Sequence, residues 1–310
     1  MKINIQKNEN KTMLDKYLNK EGQSLVALSR YLLSIEDSTK LQTVEELAEQ
    51  FGISVGYVSR ALKTIEQNNA ITLNKGGRNG TVLMNKNHSM LFKMSGLSKL
   101  ICSMPLPYTK KYEGLSSAIK EQLDDVYFAY MKGASLRGEC LSNGVYDMAI
   151  MSELASKSLV KEGSVEVVIN LGPQSYTVGH RLIFRENEKD TIRTVGIDPE
   201  SPDQVILTKM LFSDQTVNYV DISYTDGLTA IQNRKIDAMV WEIKDTSILE
   251  LLSLRSELVD HPHKRESSSA VILIRKEDLF LKNYLLSVLD VPKLLAYQSA
   301  ICERIVLPSY

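Results

Sequence analysis

Residues 43–80, TVEELAEQFGISVGYVSRALKTIEQNNAITLNKGGRNG, have the pattern of two short helices followed by a β-hairpin. Thr43 and Glu46 have the T-x-x-E spacing of a capping box, which satisfies the free backbone donors at a helix start. Gly52 predicts the end of that helix, because glycine readily adopts the positive φ of a tight turn. Ser54 is placed to cap the next helix. Two helices joined in this way form a helix-turn-helix, whose second helix can enter the major groove of DNA.

Apolar residues recur at helical spacing in both predicted helices. The inner face of the first is predicted to contain Val44, Leu47, Ala48 and Phe51. The inner face of the second is predicted to contain Val55, Val58, Leu62 and Ile65. Residues 70–74 and 81–84 then alternate as strands do, and KGGRNG between them is rich in the residues of hairpin turns. A helix-turn-helix followed by a basic hairpin predicts a winged helix.

The residues predicted to face DNA are small, hydrogen-bonding, aromatic or cationic, as contacts to bases and phosphates require. They are Ser54, Gly56, Tyr57, Ser59, Arg60 and Lys63 of the second helix, and Lys75, Arg78 and Asn79 of the hairpin. Between Ser54 and Lys93 there are six Lys or Arg against one acid, Glu66, although the whole chain has a formal charge of −1. Positive charge is therefore concentrated where phosphate binding needs it. Two alternatives are a small helical subdomain with an ordinary solvated face, and a winged helix used for protein contacts.

The composition predicts a cytoplasmic chain of two or three domains. Its 310 residues exceed the usual domain size of about 100–200, and 43% of them are hydrophobic. The sequence contains no apolar run of about 18 residues, so we expect no membrane-spanning helix. The polar start, MKINIQKNENK, does not have the pattern of a secretory signal. Three widely spaced cysteines suggest neither a disulfide framework nor a thiolate zinc site.

We place the domain boundary near the polar segment 85–88, with residues 1–88 as a DNA-binding domain that also includes an amphipathic helix at 24–35. Beyond the boundary, strand-like and helix-like segments alternate, which predicts α/β sheets with parallel strands. The predicted strands lie in 97–108, 125–131, 147–151, 165–171, 180–185, 194–197, 217–222, 237–242 and 270–275. Ser201 and Gln204 have capping-box spacing at the start of a helix, with Pro202 at its first position.

A weak internal repeat divides this α/β half. LSNGVYDMAI at 141–150 and IQNRKIDAMV at 231–240 share an Asn near a helix end and an Asp that opens a strand. We interpret the repeat as two lobes with a cleft between them, although similarity over ten residues can also arise by chance. Lobe 1 is expected at about 97–175 and 268–310, and lobe 2 at about 176–267, within an effector domain of residues 89–310.

Several segments together resemble the YhfZ family of transcriptional regulators. They are 28–31, Val55-Gly56, 77–80, SMPLPYTKKYEGL at 103–115, CLSNGVYDMA at 140–149 and 308–310. The resemblance covers nearly the whole chain. It implies a GntR-like winged helix fused to a two-lobed α/β domain similar to type 2 periplasmic binding proteins. It also implies double-stranded DNA as a partner, a small-molecule effector and a homodimer, but it specifies neither the effector nor the base contacts.

In two-lobed α/β domains, ligands bind where the carboxyl ends of strands meet loops and helix N-termini. This rule selects Ser103, Met104, Pro105, Leu106, Tyr108, Ser135, Ser152, Gln174, Asp198, Ser201 and Trp241. Helix N-termini after Thr109, Ser152 and Ser201 favour an anionic effector such as a carboxylate or phosphate, with Arg137 or Arg181 as a charge partner. The alternative is that these residues are ordinary caps, turns and core.

The sequence provides little support for catalysis. It contains no G-x-S-x-G, H-E-x-x-H or P-loop pattern. His261 and His263 flank a proline beside Lys264-Arg265, which is typical of a solvated loop rather than a metal site. Cys102 is predicted in a buried strand, where cysteines are usually inert. We therefore expect no cofactor or metal and a regulator rather than an enzyme. The other hypotheses are an enzyme on the same fold, with the winged helix used for assembly, and a binding module without regulation.

Overall fold

The computed structural model describes residues 18–77, 80–97, 99–123, 125–242 and 247–309. The chain divides into two compact units. The first comprises Met1–Ser98 and Leu279–Val288, and the second Lys99–Asp278 and Leu289–Tyr310. No single described helix is long and apolar enough to cross a membrane, and only two consecutive helices separated by a break, Leu279–Val288 and Val291–Cys302, reach that length and apolarity together.

The helices are numbered in chain order. They are α1 (Lys20–Ser34), α2 (Val44–Phe51), α3 (Val55–Gln67), α4 (His88–Met94), α5 (Lys110–Gln122), α6 (Ala134–Ser142), α7 (Glu153–Glu162), α8 (Pro202–Leu211), α9 (Gly227–Gln232), α10 (Ser247–Leu251), α11 (Lys264–Ser268), α12 (Leu279–Val288) and α13 (Val291–Cys302). Short 3₁₀ turns occur at Lys189–Thr191 and Tyr224–Asp226.

The strands are numbered in the same way. They are β1 (Ile71–Lys75), β2 (Thr81–Lys86), β3 (Leu100–Met104), β4 (Val126–Tyr130), β5 (Met148–Ser152), β6 (Val165–Asn170), β7 (Arg181–Arg185), β8 (Thr194–Ile197), β9 (Asn218–Asp221), β10 (Ala238–Trp241), β11 (Leu254–Leu258) and β12 (Ala270–Arg275). β1 and β2 form an antiparallel hairpin after α3, as expected for a winged helix.

The predicted capping box at the start of α2 is confirmed. The Thr43 hydroxyl accepts from Glu46 N at 3.2 Å, and the Glu46 carboxylate accepts from Thr43 N at 2.8 Å. Gly52 ends α2 in the left-handed region, with φ 64°, as predicted. Ser54 lies at the N-cap position of α3 but makes no side-chain cap hydrogen bond.

Two predicted features of the helices in the first unit were wrong in detail. Val55 does not belong to the inner face of α3: it is 44% exposed, and the buried residues of α3 are Val58, Ala61 and Ile65. In addition, α1 begins four residues before the predicted start at Ser24, because the Asn19 side chain accepts from Gly22 N at 2.8 Å and caps the helix there.

α12 belongs to the first unit, although its sequence lies within the predicted lobe 1. The Tyr284 ring stacks on Phe92 of α4 with ring centres 4.1 Å apart and planes 10° apart. The Asn283 amide donates to the carbonyl of Leu33 in α1 at 2.9 Å. The apolar spacing of α12 predicts a buried face but does not specify which helices cover it, and that is why the prediction misplaced it.

The second unit contains two five-stranded sheets, each of which defines a lobe. The strand order is β4-β3-β5-β12-β6 in lobe 1 and β11-β7-β10-β8-β9 in lobe 2. Each sheet combines parallel pairs with one antiparallel inner strand, β12 in lobe 1 and β7 in lobe 2. The predicted two-lobed α/β class is confirmed. β11 was not predicted, since it is an edge strand with mostly exposed residues.

The internal repeat has a structural counterpart in each lobe. Asp147 precedes β5 and accepts from Ile101 N at 2.9 Å, and Asp237 precedes β10 and accepts from Thr194 N at 2.8 Å. In both places, the aspartate at the end of a helix-to-strand turn ties the start of its own strand to the neighbouring one. The chain crosses between the lobes through two segments, residues 171–180 and 259–269.

Candidate functional site

The exposed face of α3 contains most of the residues predicted to bind DNA. Gly56, Ser59, Arg60 and Lys63 are exposed, and Tyr57 is half-buried. The Arg60 guanidinium lies 4.7 Å from the centre of the Tyr57 ring, an arrangement that favours a cation–π contact. The face therefore combines two cations with small residues that permit close approach to a duplex.

The hairpin is connected to α3 by an ion pair. Lys75, the last residue of β1, donates to the Glu66 carboxylate at 2.7 Å. This contact neutralises one predicted phosphate-binding cation and joins the hairpin to the last turn of α3. Arg78 and Asn79, the predicted tip residues, lie outside the described residues.

Lys86, one of the six clustered cations, is not available to phosphate. It is buried, and its ammonium donates to the carbonyls of Leu32 and Ile35 at the C-terminal end of α1. Burial lowers the pKa of Lys86, and the charges of Asp37 and Glu36 oppose that shift. Lys86 thus satisfies free carbonyls at a helix end, and the local excess of positive charge is smaller than the sequence suggests.

In the second unit, hydrogen bonds join the two lobes directly across the cleft. The Tyr112 hydroxyl donates to the Glu242 carboxylate at 2.8 Å. The Ser152 hydroxyl, which caps α7 by accepting from Ala155 N at 3.1 Å, donates to the Asp203 carboxylate at 2.9 Å. Ser135 N donates to the Glu200 carbonyl at 3.2 Å, and the Lys132 ammonium donates to the Ser223 hydroxyl at 3.1 Å. Lobe 1 supplies the donor in all four contacts.

Buried and half-buried aromatic side chains surround these contacts. The rings of Tyr112 and Tyr176 are 5.0 Å apart, and Trp241 packs edge-to-face on Tyr224 at 5.3 Å. The Tyr224 hydroxyl accepts from Glu242 N at 2.6 Å. Burial and the charge of Glu242 raise the pKa values of Tyr112 and Tyr224 well above 10. Burial also raises the pKa of Tyr176 to about 12, so all three phenols are neutral near pH 7.

Arg137 is the buried cation of this region, at 3% exposure. Its guanidinium donates to the carbonyls of Ile150 at 3.1 Å and Met131 at 2.9 Å, and to the Tyr176 hydroxyl at 3.4 Å. These acceptors are neutral, and among the described residues no carboxylate forms an ion pair with Arg137. Its location at the carboxyl ends of β4 and β5 is where a ligand is expected in such a sheet.

The predicted effector residues are spread over different environments. Ser135 and Ser152 contact the opposite lobe, and Trp241 packs on Tyr224. Ser103, Met104 and Pro105 are buried, and the Ser103 hydroxyl donates to the Met148 carbonyl at 3.3 Å. Tyr108 is 67% exposed, and Leu106 is half-buried.

The remaining predicted residues have structural contacts. The Asp198 carboxylate accepts from Glu200 N at 3.0 Å and from Tyr224 N at 2.8 Å. Gln174 is exposed with φ 62°. The capping box of Ser201 and Gln204 was wrong: Ser201 makes no cap hydrogen bond, and the buried Gln204 amide donates to the carbonyls of Gly196 and Val240 at 3.1 and 3.2 Å.

Tyr112, Tyr224 and Asp203 contribute to the interlobe contact but were not predicted. Tyr112 lies in the first turn of α5, which follows the selected Tyr108, and Asp203 lies in the first turn of α8, which follows the selected Ser201. The Tyr112–Glu242 contact joins residues 130 positions apart, so no local pattern indicates it.

The residues considered for catalysis are held in other contacts. His263 Nδ1 lies 2.9 Å from the Glu266 carboxylate rather than turning to His261. Burial raises the pKa of the Cys102 thiol, which disfavours the reactive thiolate. A cavity of about 280 Å³ lies at the lobe 2 surface around Phe212. Another, of about 240 Å³, lies in the first unit around Lys86.

A family model described as the YhfZ C-terminal domain matches residues 87–310. The chain belongs to the YhfZ family. A second model, described as a helix-turn-helix domain, matches residues 38–83. The YhfZ protein of Escherichia coli (strain K12) is 38% identical over 297 residues, which cover 95% of this chain and 99% of that protein.

Solved structures agree with this assignment. The crystal structure of YhfZ from Shigella flexneri matches with a TM-score of 0.64 and 38% identity, covering 72% of this chain and 98% of that one. An arginine-specific periplasmic binding protein of Salmonella typhimurium matches with a TM-score of 0.51 and 14% identity, covering 67% of this chain and 99% of that one. At that identity, the likeness shows the fold alone. The second unit of this YhfZ-family chain thus resembles periplasmic binding proteins.

Proposed function

We propose that this chain is a DNA-binding transcriptional regulator whose two-lobed domain binds a small-molecule effector. The observation that carries the proposal is the exposed α3 face, where Arg60 and Lys63 lie among small residues in a helix-turn-helix. The second unit supplies a ligand-binding fold, and its cleft groups are closed on one another rather than arranged for turnover. In functional terms, we propose that residues 1–88 bind DNA and residues 89–310 sense the effector.

The proposed DNA contacts are those of α3 and the hairpin. Arg60 is proposed to reach base edges and Lys63 to bind phosphate, and Ser54, Gly56, Tyr57 and Ser59 to allow close approach. Lys75, Arg78 and Asn79 are proposed to contact the backbone beside the groove. A GntR-like homodimer acting in the cytoplasm would place two such helices on a palindromic operator with half-sites about one helical turn apart.

Selection of operators from random duplexes, followed by gel shift, tests this part. Arg60→Ala should weaken specific binding by about 1–3 kcal/mol and relax preference at one base position, whereas Lys63→Ala should weaken binding to all sequences and reduce the salt slope. Lys161→Ala, an exposed cation on α7, is the matched control. Sequence-selective binding that survives both α3 substitutions would refute the proposed contacts.

We further propose that the effector is anionic and binds between the lobes. The Ser152 hydroxyl at the α7 N-terminus already holds a carboxylate, that of Asp203, and the buried Arg137 lies nearby at the Tyr176 hydroxyl. An effector carboxylate or phosphate would take the place of Asp203 on Ser152 and separate Tyr112 from Glu242. Helix N-termini and guanidinium groups both favour anions.

A thermal-shift screen of carboxylates and phosphate esters tests the effector proposal. A ligand at 100 times its Kd should stabilise the protein by about 2.7 kcal/mol. Ser152→Ala should reduce the shift caused by any hit, whereas Ser158→Ala, on the exposed side of the same helix, should not. Absence of a shift with every carboxylate and phosphate ester, or hits whose shift is unaffected by Ser152→Ala, would refute the anion proposal without affecting DNA binding.

The chain path suggests how the two activities are coupled. The chain leaves the second unit after Asp278, forms α12 in the first unit, and returns at Leu289. The units are therefore joined by three covalent connections, at residues 98–99, 278–279 and 288–289. We propose that movement of lobe 1 on effector binding is transmitted through α12 to α1 and α4, against which α12 packs.

A further inference from the structure

Each of the two segments that connect the lobes contains a buried histidine. His180 ends the first crossover immediately before β7, and His261 lies in the second, between β11 and α11. Their ring centres are 6.4 Å apart, with planes at 67°. Val259 N donates to the His180 carbonyl at 3.0 Å, so the backbones of the two crossovers are hydrogen-bonded at this point.

Both imidazoles are neutral groups in an environment that disfavours charge. His180 is 5% exposed and His261 9%, and the Nδ1 atom of each has no hydrogen-bond partner within the described part of the chain. Removing a charged imidazolium from water without a partner costs far more than burying a neutral ring. The observed arrangement of the two lobes therefore accommodates neutral rings, and protonation of either ring destabilises it.

Some charged groups around the two rings lower the imidazole pKa values further, and others raise them. Burial lowers the pKa of His180, and the charge of Asp203 on α8 opposes that shift. Burial, His180 and His263 lower the pKa of His261, Lys264 lowers it further, and Asp260 opposes them. The net result is a lowered pKa for both imidazole rings.

We propose that His180 and His261 form a proton-sensitive hinge, whose protonation shifts the two-lobed domain away from the closed arrangement joined by Tyr112–Glu242 and Ser152–Asp203. A form that exposes the rings to water takes up protons more readily, so acid favours it by linkage. Each proton taken up on opening changes the open-to-closed ratio by up to about tenfold per pH unit.

The biological consequence, a pH-dependent effector response, rests on the proposed function. The hinge itself can be tested without effector or DNA. The chain has four histidines and one tryptophan, so its imidazole proton signals are few and its tryptophan emission has a single source. Trp241 packs on Tyr224, which accepts from Glu242, and Glu242 in turn holds Tyr112 of the other lobe. Its emission should therefore report separation of the lobes.

The experiment follows the full chain from pH 8 to pH 5 by tryptophan emission and by proton NMR of the imidazoles, assigned with single His→Gln variants. We expect a change in Trp241 emission that coincides with titration of His180 and His261, below the ordinary histidine value of about 6.5. The double variant His180→Gln/His261→Gln should lose this transition. The control His263→Gln, which removes a half-buried ring paired with Glu266, should keep it.

Three results would overturn the hinge: a wild-type emission that is constant over this range, a transition that persists in the double variant, or imidazoles of His180 and His261 that titrate at the ordinary value. If the double variant does not fold, the wild-type NMR titration and the single His261→Asn variant decide the question. If the pH-dependent transition is absent but the protein binds its operator and effector, the hinge is refuted and the proposed function is not. If the transition is present but the protein does not bind DNA, the proposed function is refuted and the hinge is not.

Discussion

The Arg60 guanidinium lies over the ring of Tyr57, one helical turn earlier on the exposed face of α3, at 4.7 Å from the ring centre. A long cationic side chain on a helix surface loses rotamer entropy when it binds. Stacking restricts Arg60 before DNA arrives, and Tyr57 is therefore a positioning residue for the proposed base contact.

We predict that Tyr57→Leu weakens specific DNA binding by about 0.5–1 kcal/mol, the usual size of an exposed cation–π contact. Tyr57→Phe keeps the aromatic face and should bind nearly as well as the wild type. Titrations with specific and random duplexes measure both affinities. Equal losses for Leu and Phe would mean that the hydroxyl, rather than the ring, makes the contact.

Removal of the Glu66 carboxylate, which pairs with Lys75, is expected to strengthen DNA binding rather than weaken it. Glu66→Gln should release the Lys75 ammonium, raise non-specific DNA affinity and steepen its salt dependence, because one more cation can neutralise a phosphate. The exposed pair itself should contribute at most about 1 kcal/mol to folding. Salt-dependent binding measures this effect, with Glu49→Gln on the exposed face of α2 as control. A weaker complex would show that the orientation of the hairpin matters more than its charge.

Lys86 is predicted to stabilise the first unit rather than to bind DNA. Lys86→Met keeps the aliphatic stem but leaves the carbonyls of Leu32 and Ile35 without their donor, and each unsatisfied buried group costs about 1–3 kcal/mol. We expect that loss in urea unfolding. Lys93→Met removes an exposed cation of α4 and should change stability by no more than about 0.5 kcal/mol. Stability unchanged by Lys86→Met would contradict the helix-capping role.

The contrast between Thr43 and Lys86 shows what could be predicted from the sequence. The capping box and the turn at Gly52 depend on residues three to nine positions apart, so local spacing indicates them. The partners of Lys86 lie 51 and 54 residues away along the chain. Its positive charge and its position near the hairpin alone placed it with the phosphate-binding cations. α12 shows the same limit, because periodicity indicates a buried face but not the α1 and α4 helices that cover it. In the cleft, Ser152 could be selected as a helix cap, but its Asp203 partner depends on how the lobes meet.

The repeated aspartates allow a prediction with an internal control. Burial opposes ionisation of Asp237, but hydrogen bonds from the Thr194 side chain, from Arg193 N and Thr194 N, and from Arg185 hold its pKa well below the usual range. A carboxyl group whose pKa is depressed by folding contributes stability above its unfolded pKa of about 3.9, and that stability is lost as pH falls through the folded value.

Asp237→Asn should therefore destabilise lobe 2 at pH 7 by about 1–3 kcal/mol, as expected when a charged hydrogen-bonding group is lost. The difference from the wild type should shrink as pH falls below about 4, where Asp237 begins to protonate in the unfolded state. Asp147→Asn changes the equivalent position in lobe 1, where Arg275 is farther away, at 3.7 Å against 2.6 Å for Arg185 and Asp237. Its effect at pH 7 should be the smaller of the two. Urea unfolding of both variants at pH 7 and pH 3.5 measures the difference, and a pH-independent loss for Asp237→Asn would show that packing rather than ionisation is responsible.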